Sequence, residues 1–137
     1  MENLEFIKKN REGAGETLRL MEKNGVPYLT YPLLEGCSGY VHGFSTRLGG
    51  VSEGIYKSMN LSFTRGDEEA AVQENFKRIA AAIGFPYENI VCSDQTHTTN
   101  VRVVTERDRG SGITGEKKFY DTDGLVTDVQ GLVLATF

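Results

Sequence analysis

The sequence predicts an α+β fold with mixed β-sheets and flanking helices. An Asn-Gly pair at 24–25 separates two strand-like runs, one strong helical pattern covers about residues 68–83, and four more strand-like runs follow it. Because a hairpin precedes the helix and several strands follow it, the order of elements differs from a regular βαβ repeat. A chain of 137 residues, 39% hydrophobic and 25% charged, is large enough for one domain with a core.

The first predicted element is a β-hairpin formed by residues 18–23 and 26–31. Asn24 and Gly25 favour it because both central positions of a tight hairpin turn need positive φ angles. Pro27 cannot donate a backbone hydrogen bond, so we expect the second strand to lie at a sheet edge, at least at its start. The preceding residues 6–16 are charged and interrupted by glycine, and we expect them to fray.

A strand is predicted at 40–46, followed by a loop at 48–54 and then by the helix. Asp67 is the expected N-cap, and Gly84 with Pro86 ends the helical pattern. The apolar residues that recur at helical spacing are Val72, Phe76, Ile79, Ala80 and Ile83. This apolar face requires a sheet to pack against.

Further strands are predicted at 90–93, 101–105, 124–127 and 132–137. Residues 107–118 are polar and rich in glycine, which indicates a long, mobile connection. The final predicted strand ends inside an apolar run, so we expect residues 1–137 to be one domain in truncated form that continues beyond residue 137.

Composition excludes several classes of function. The net charge is −4 and the pI about 5.2, without a long run of either sign, so nucleic acid and anionic membranes are not expected partners. No apolar stretch reaches the length of about 20 residues that a membrane span needs, and the first residues do not resemble a signal peptide. We therefore expect a cytoplasmic protein whose cysteines, Cys37 and Cys92, are reduced thiols, with Cys92 buried.

His97 and Arg47 are the leading candidates for a chemical role. A neutral imidazole at His97 could ligate zinc or act as a general base, but one histidine does not complete a metal site, and a structural or surface role is the commoner one. Ser45 and Arg47 would share a strand face ahead of the open amides of Gly49 and Gly50, where a phosphate could bind. An arginine at a strand end more commonly forms a surface ion pair, and Gly49 and Gly50 could simply turn the chain.

Several carboxamides and carboxylates also admit two roles. Asp121 and Asp123 could ligate a metal, although a loop aspartate more often accepts hydrogen bonds from backbone amides. Asn60 and Asn75 could each bind a substrate, and each could as easily brace a turn.

Taken in order, these blocks resemble the YfiH family, whose members are described as laccase-like polyphenol oxidoreductases and as purine nucleoside phosphorylases. The resemblance covers nearly everything from about residue 31 onward. It rests on the blocks HGFSTRLGGVS at 42–52, YKSMNL at 56–61, Gly66-Asp67 with Val72 and Asn75, Gln95-Thr96-His97, and DGLVT at 123–127. The order and spacing of these blocks make chance agreement very improbable.

The resemblance implies a four-layer α/β/β/α sandwich in a longer protein, with a zinc site made by a histidine, a cysteine and a second histidine. His97 matches the first ligand. The blocks that carry the other two ligands do not occur in this chain, so the zinc site is expected to be incomplete here. The family's usual Gln-x-His-Gly reads Gln95-Thr96-His97-Thr98, with threonine in place of glycine.

The implied activity is phosphorolysis of adenosine, inosine, guanosine and methylthioadenosine, with deamination of adenosine as a second activity. By this resemblance His97 and Arg47 are catalytic, Arg47 contacts phosphate, and Ser45, Asn60 and Gln95 line the pocket for a purine nucleoside. We expect little activity from these 137 residues alone. Two alternatives remain: a non-catalytic module that self-associates through its terminal strand, and a copper polyphenol oxidase, for which His and Cys are too few.

Overall fold

The structure, a computed structural model, describes residues 16–137. Its strands and α-helices are, in chain order, β1 (Arg19–Lys23), β2 (Val26–Thr30), α1 (Pro32–Glu35), β3 (Phe44–Ser45), α2 (Glu69–Ile83), β4 (Ile90–Cys92), β5 (Val101–Val103), β6 (Gly124–Val126) and β7 (Val133–Ala135). The small sheets and two helices confirm the α+β class. The fraying predicted for residues 6–16 falls almost wholly outside the described residues. Neither described helix is long and apolar enough to cross a bilayer.

The predicted hairpin is confirmed. β1 and β2 pair antiparallel with Lys23 opposite Val26, and Asn24 and Gly25 have φ angles of 54° and 73°. β3 pairs with β2 only from Tyr28 onward, so β2 is the central strand of this sheet while its first residues have a neighbour on one side alone. Pro27 therefore lies in the part of β2 that pairs with β1 alone, and only Tyr28 and Leu29 are paired on both sides.

The later strands form two parallel pairs. β4 pairs with β7, and β5 pairs with β6. Within residues 16–137 the β1-β2-β3 sheet is wholly antiparallel and the other two sheets are wholly parallel, so no sheet in this part of the chain is mixed as expected. The strand predicted at 40–46 was too long, because only Phe44–Ser45 pairs with a neighbour.

The connection predicted at 107–118 is a folded segment and not a loose one. Ser111 and Ile113 are buried in it, and the carbonyl of Ser111 accepts a 3.0 Å hydrogen bond from the amide of Cys92 at the end of β4. A capping box formed by Thr105 and Asp108 begins a short 3-10 turn, Glu106–Asp108, at the start of this segment. The glycine content alone predicted a mobile connection, whereas hydrogen bonds and burial in the tertiary structure order these residues.

Helix α2 joins the two halves of the core. Its buried face contributes Ile79 and Ala82 to a cluster with the hairpin, and Val72 and Phe76 to a second cluster with β4. The predicted apolar face is therefore confirmed, and Gly84 ends the helix with a left-handed φ of 108°.

The N-cap predicted at Asp67 was wrong. Glu68 occupies the N-cap position without a side-chain cap, and the helix begins at Glu69. The Asp67 carboxylate instead points into the preceding loop, where it accepts a 2.6 Å hydrogen bond from Ser52 Oγ and a 2.9 Å bond from Asn60 Nδ2. Competing side-chain donors from that loop outweigh the cap interaction.

Candidate functional site

The block at 42–52 continues from β3 into a loop that folds back on residues 58–60. The carbonyl of Arg47 accepts hydrogen bonds of 2.9 Å from the amides of Ser58 and Met59, and the amide of Ser52 donates a 3.0 Å bond to the carbonyl of Ser58. Gly50 lies so close to Ser58 that a Cβ atom there would overlap the Ser58 carbonyl. The tight contact requires glycine for steric reasons.

Asn75 on α2 is fully buried and organises this loop. Its Oδ1 accepts a 2.8 Å hydrogen bond from the amide of Val51, and its Nδ2 donates to Ser52 Oγ at 2.9 Å and to the carbonyl of Asn60 at 2.8 Å. Of the two roles that the sequence left open for Asn75, bracing a turn is the one that its contacts satisfy. All its polar atoms are used within the chain.

The predicted phosphate residues lie on the exposed side of the loop. Arg47 extends from the end of β3, and its Nη2 donates hydrogen bonds of 3.4 and 3.3 Å to the carbonyls of Ile55 and Lys57. Ser45 is exposed on β3, whereas Asn60 is half-buried and donates to Asp67. Since a guanidinium has five N–H donors, Arg47 retains donors for a ligand.

The Gln95-Thr96-His97 block and the DGLVT block at 123–127 come together near the start of β5 and β6. Asp123 accepts hydrogen bonds at both carboxylate oxygens, from the amide of Thr96 at 2.7 Å and from the amide of Thr98 at 2.9 Å. Asp121 accepts hydrogen bonds from the hydroxyl of Thr96 and from Asn100 Nδ2. The expected role of a loop aspartate, accepting backbone amides, is met by Asp123.

His97 lies between these two bonded amides and is exposed. Its φ angle is 63°, in the left-handed region that non-glycine residues seldom adopt. Thr98 is not among the described residues with positive φ. The threonine at the position of the family's usual glycine therefore does not need a left-handed backbone, and it is His97 that adopts one.

An open cleft of about 840 Å³ lies beside this loop. It is lined by residues from 61–65, 92–96 and 112–117, together with Glu69, Phe76 and Phe137. Gln95 is the predicted site residue that lines it, and Phe63 provides an aromatic ring stacked on Phe76 at 5.5 Å between centroids. Arg47, Ser45, Asn60 and His97 are not among its lining residues, although Ser45 lines a neighbouring apolar groove of about 280 Å³.

Charges in the cleft are balanced. Lys117 forms an ion pair with Asp94, while Arg65 and Glu69 supply the remaining cation and anion. The lining thus has no net formal charge. Lys117, Phe63 and Arg65 were missed by reasoning from the sequence, because each stands outside the motifs and only the tertiary fold brings it to the cleft.

The described residues do not by themselves form a metal site. Among residues 16–137 no three His, Cys, Asp or Glu side chains are grouped to hold an ion. His42 Nε2 accepts a 2.8 Å hydrogen bond from the amide of Tyr31, and burial raises the pKa of the Cys92 thiol to about 12, which disfavours the thiolate that metals require. In the described part of the chain His97 remains as a histidine free to ligate, and this donor set fits neither a complete zinc site nor a copper cluster.

Comparison with known proteins agrees with the resemblance. Residues 41–137 match the family described as multi-copper polyphenol oxidoreductase laccase. The chain is 37% identical over 99 residues to the purine nucleoside phosphorylase YlmD of Geobacillus stearothermophilus, covering 72% of this chain and 36% of that protein. It is also 37% identical over 115 residues to the purine nucleoside phosphorylase of Deinococcus radiodurans, covering 84% of this chain and 40% of that protein.

The fold agrees as well. The crystal structure of YlmD from Geobacillus stearothermophilus superposes with a TM-score of 0.75 at 32% identity, covering 88% of this chain and 43% of that chain. The present chain thus spans about two fifths or less of the length of these curated relatives. Both the matched motifs and the matched fold lead to one conclusion: the chain belongs to the YfiH family, the family of multi-copper polyphenol oxidoreductase laccase proteins.

Proposed function

We propose that these residues form part of a zinc-dependent purine nucleoside phosphorylase, acting on adenosine, inosine, guanosine and methylthioadenosine. The observation that carries the proposal is the junction of two motif blocks, where Asp123 binds the loop that presents His97, next to a cleft lined by Gln95. The similarity to YlmD over 72% of this chain supports the same assignment.

The cleft suits an uncharged, polar and partly aromatic ligand. A nucleoside has no net charge, and the two cations and two carboxylates of the lining cancel. The ring of Phe63 can stack on a purine, and the amide of Gln95 can donate to and accept from the base or ribose. We therefore assign the nucleoside to this cleft, with its volume of about 840 Å³.

Phosphate, in contrast, needs an uncompensated cation. The Arg47 guanidinium is exposed and forms only two long hydrogen bonds, to backbone carbonyls, so it can bind phosphate oxygens with its remaining donors. In phosphorolysis a phosphate oxygen bonds to the ribose C1′ as the C1′–N9 bond breaks. The purine departs with the electron pair and gains a proton, leaving ribose 1-phosphate.

The proposal extends to zinc binding and to a second reaction. In the whole protein we assign His97 as one zinc ligand, with the cysteine and second histidine supplied by sequence outside these 137 residues. We also propose a second activity, in which water adds to C6 of adenosine and ammonia leaves to give inosine. Accordingly, we expect the 137 residues alone to show little turnover.

The test compares the full-length product of the gene with the 137-residue chain, each given adenosine with and without phosphate. We expect phosphate-dependent release of adenine from the full-length protein only. Arg47→Ala should raise KM for phosphate about tenfold or more, the loss of a charge-assisted contact. Arg107→Ala, which removes another exposed arginine, is the matched control and should behave as wild type. A full-length protein that releases no adenine contradicts the proposal.

Self-association is a second candidate, favoured by the state of β7. That strand pairs with β4 on one edge, and within the described part of the chain no strand covers its other edge. A dimer that forms with rising concentration in sedimentation experiments on the 137-residue chain would support this reading. A monomer at every concentration contradicts it.

A further inference from the structure

The backbone of His97 is in an unusual state that the surrounding residues stabilise. A φ of 63° is normal for glycine and rare for histidine, because Cβ then approaches the following carbonyl. Such residues persist where neighbouring contacts determine the conformation, and they concentrate at functional sites.

Asp123 makes the contacts on both sides of the histidine. One carboxylate oxygen accepts the Thr96 amide at 2.7 Å and the other accepts the Thr98 amide at 2.9 Å, so a single side chain spans the residue between them. Hydrogen bonds to an ionised carboxylate are about twice as strong as neutral ones. Both oxygens are thereby used within the chain, which suits a supporting role and not direct contact with substrate.

Asp123 is itself firmly placed. Its amide donates a 3.0 Å hydrogen bond to the carbonyl of Asn100, and the preceding Thr122 is fully buried with its amide bonded to the carbonyl of Asp94 at 2.9 Å. Asp121 accepts a 3.1 Å hydrogen bond from Asn100 Nδ2. The loop at 95–100 is therefore connected to the start of β6 at several points along its length.

We propose that Asp123 is the positioning residue for His97: by bonding the amides on either side, it fixes the left-handed backbone and so the direction of the imidazole. This inference rests on the proposed function insofar as it gives the imidazole a chemical task. The geometric part stands on the hydrogen bonds alone, and the two parts are tested separately.

The variant Asp123→Asn keeps the shape and one acceptor oxygen but replaces the other with an NH₂ group that cannot accept. Asp128→Asn is the matched control, since Asp128 is exposed on the same segment and has no hydrogen bond in the described structure. In the full-length protein we expect Asp123→Asn to speed hydrogen exchange of the Thr96 and Thr98 amides about tenfold and to shift the ring resonances of His97. Asp128→Asn should change neither.

Kinetics separate positioning from simple loop stability. Asp123→Asn should lower kcat for phosphorolysis about tenfold while KM for adenosine and the melting temperature stay near those of Asp128→Asn. Unchanged amide exchange, or a kcat equal to that of the control, would overturn the proposal. A wild-type protein without phosphorolysis refutes the proposed function only, and the exchange and resonance data then decide the positioning role.

The wild-type protein provides a further test that requires no variant. The amides of Thr96 and Thr98 should exchange more slowly than the neighbouring amide of Thr99, which has no acceptor in the described structure. Equal exchange at all three amides would refute the hydrogen bonds from the Thr96 and Thr98 amides to Asp123, even if every variant at Asp123 failed to fold.

Discussion

Asn75 donates a 2.9 Å hydrogen bond to the hydroxyl of Ser52, a residue 23 positions away in the loop of the first motif block. The same hydroxyl donates a 2.6 Å bond to Asp67, so a buried helix residue, a loop serine and a carboxylate form one chain of hydrogen bonds. This network fixes the loop that begins at Arg47. Its disruption should therefore be measurable as a loss of stability.

Asn75→Ala should lower the free energy of unfolding by about 3 kcal/mol, because it removes a fully buried side chain and leaves the partly buried Val51 amide and Asn60 carbonyl without partners. Urea denaturation followed by circular dichroism measures this. Gln73→Ala, on the same helix but without a side-chain hydrogen bond in the described structure, should change the free energy of unfolding by no more than about 0.5 kcal/mol. Equal losses in the two variants would argue against the network.

Gly50→Ala should be destabilising by about 3 kcal/mol, since the added Cβ would overlap Ser58 and lie 2.6 Å from Asn75 Oδ1. Gly36→Ala provides the comparison, because its Cβ would meet only the Leu33 carbonyl at 3.9 Å and its φ is −75°. Thermal melting of both variants distinguishes a steric need for glycine from a general cost of losing one. Similar melting temperatures would contradict the close contact.

Asp67 should make stability depend on pH in the acid range. Hydrogen bonds from Ser52 and then Asn60 lower the pKa of its carboxyl below the ordinary value of 3.8, whereas the unfolded chain keeps that value. The ionised folded form is thus favoured, so its contribution is present above about pH 4 and is lost as pH falls through the lowered pKa. Asp67→Asn and Ser52→Ala should both flatten the fall in unfolding free energy below about pH 4. A wild-type slope in both variants would rule this out.

The two cysteines should differ sharply in reactivity. Cys37 is exposed, whereas Cys92 is buried and its pKa is raised to about 12 by loss of solvation. A disulfide reagent at about pH 8 should therefore titrate one thiol quickly in the folded protein and two after denaturation. Cys37→Ser should abolish the fast phase. Two fast thiols in the native protein would mean that the packing around Cys92 is looser than described.

Local patterns predicted the parts of the fold that depend on local physics. The Asn24-Gly25 turn and helix α2 are specified by φ preference and by apolar spacing, and both are confirmed. Strand lengths and the cap at Asp67 were missed, because pairing partners and competing donors such as Ser52 come from distant positions in the chain. Strand direction likewise depends on neighbours that no single segment specifies.

In the candidate site, too, features set by local sequence could be predicted and features set by distant contacts could not. The motif residues Arg47, Gln95 and His97 could be chosen from the sequence. The sequence also indicated that Asp123 could accept hydrogen bonds from backbone amides, as it does. The cleft beside them could not be predicted. Phe63 and Lys117 reach it through tertiary packing, and neither is marked by spacing or composition.

The most direct test of the central claim is the sugar product that the full-length protein forms from adenosine in phosphate buffer. Phosphorolysis predicts ribose 1-phosphate in amounts equal to the adenine released, with both products abolished when phosphate is omitted and strongly reduced in His97→Ala. Adenine accompanied by free ribose, or turnover that does not depend on phosphate, would contradict the account.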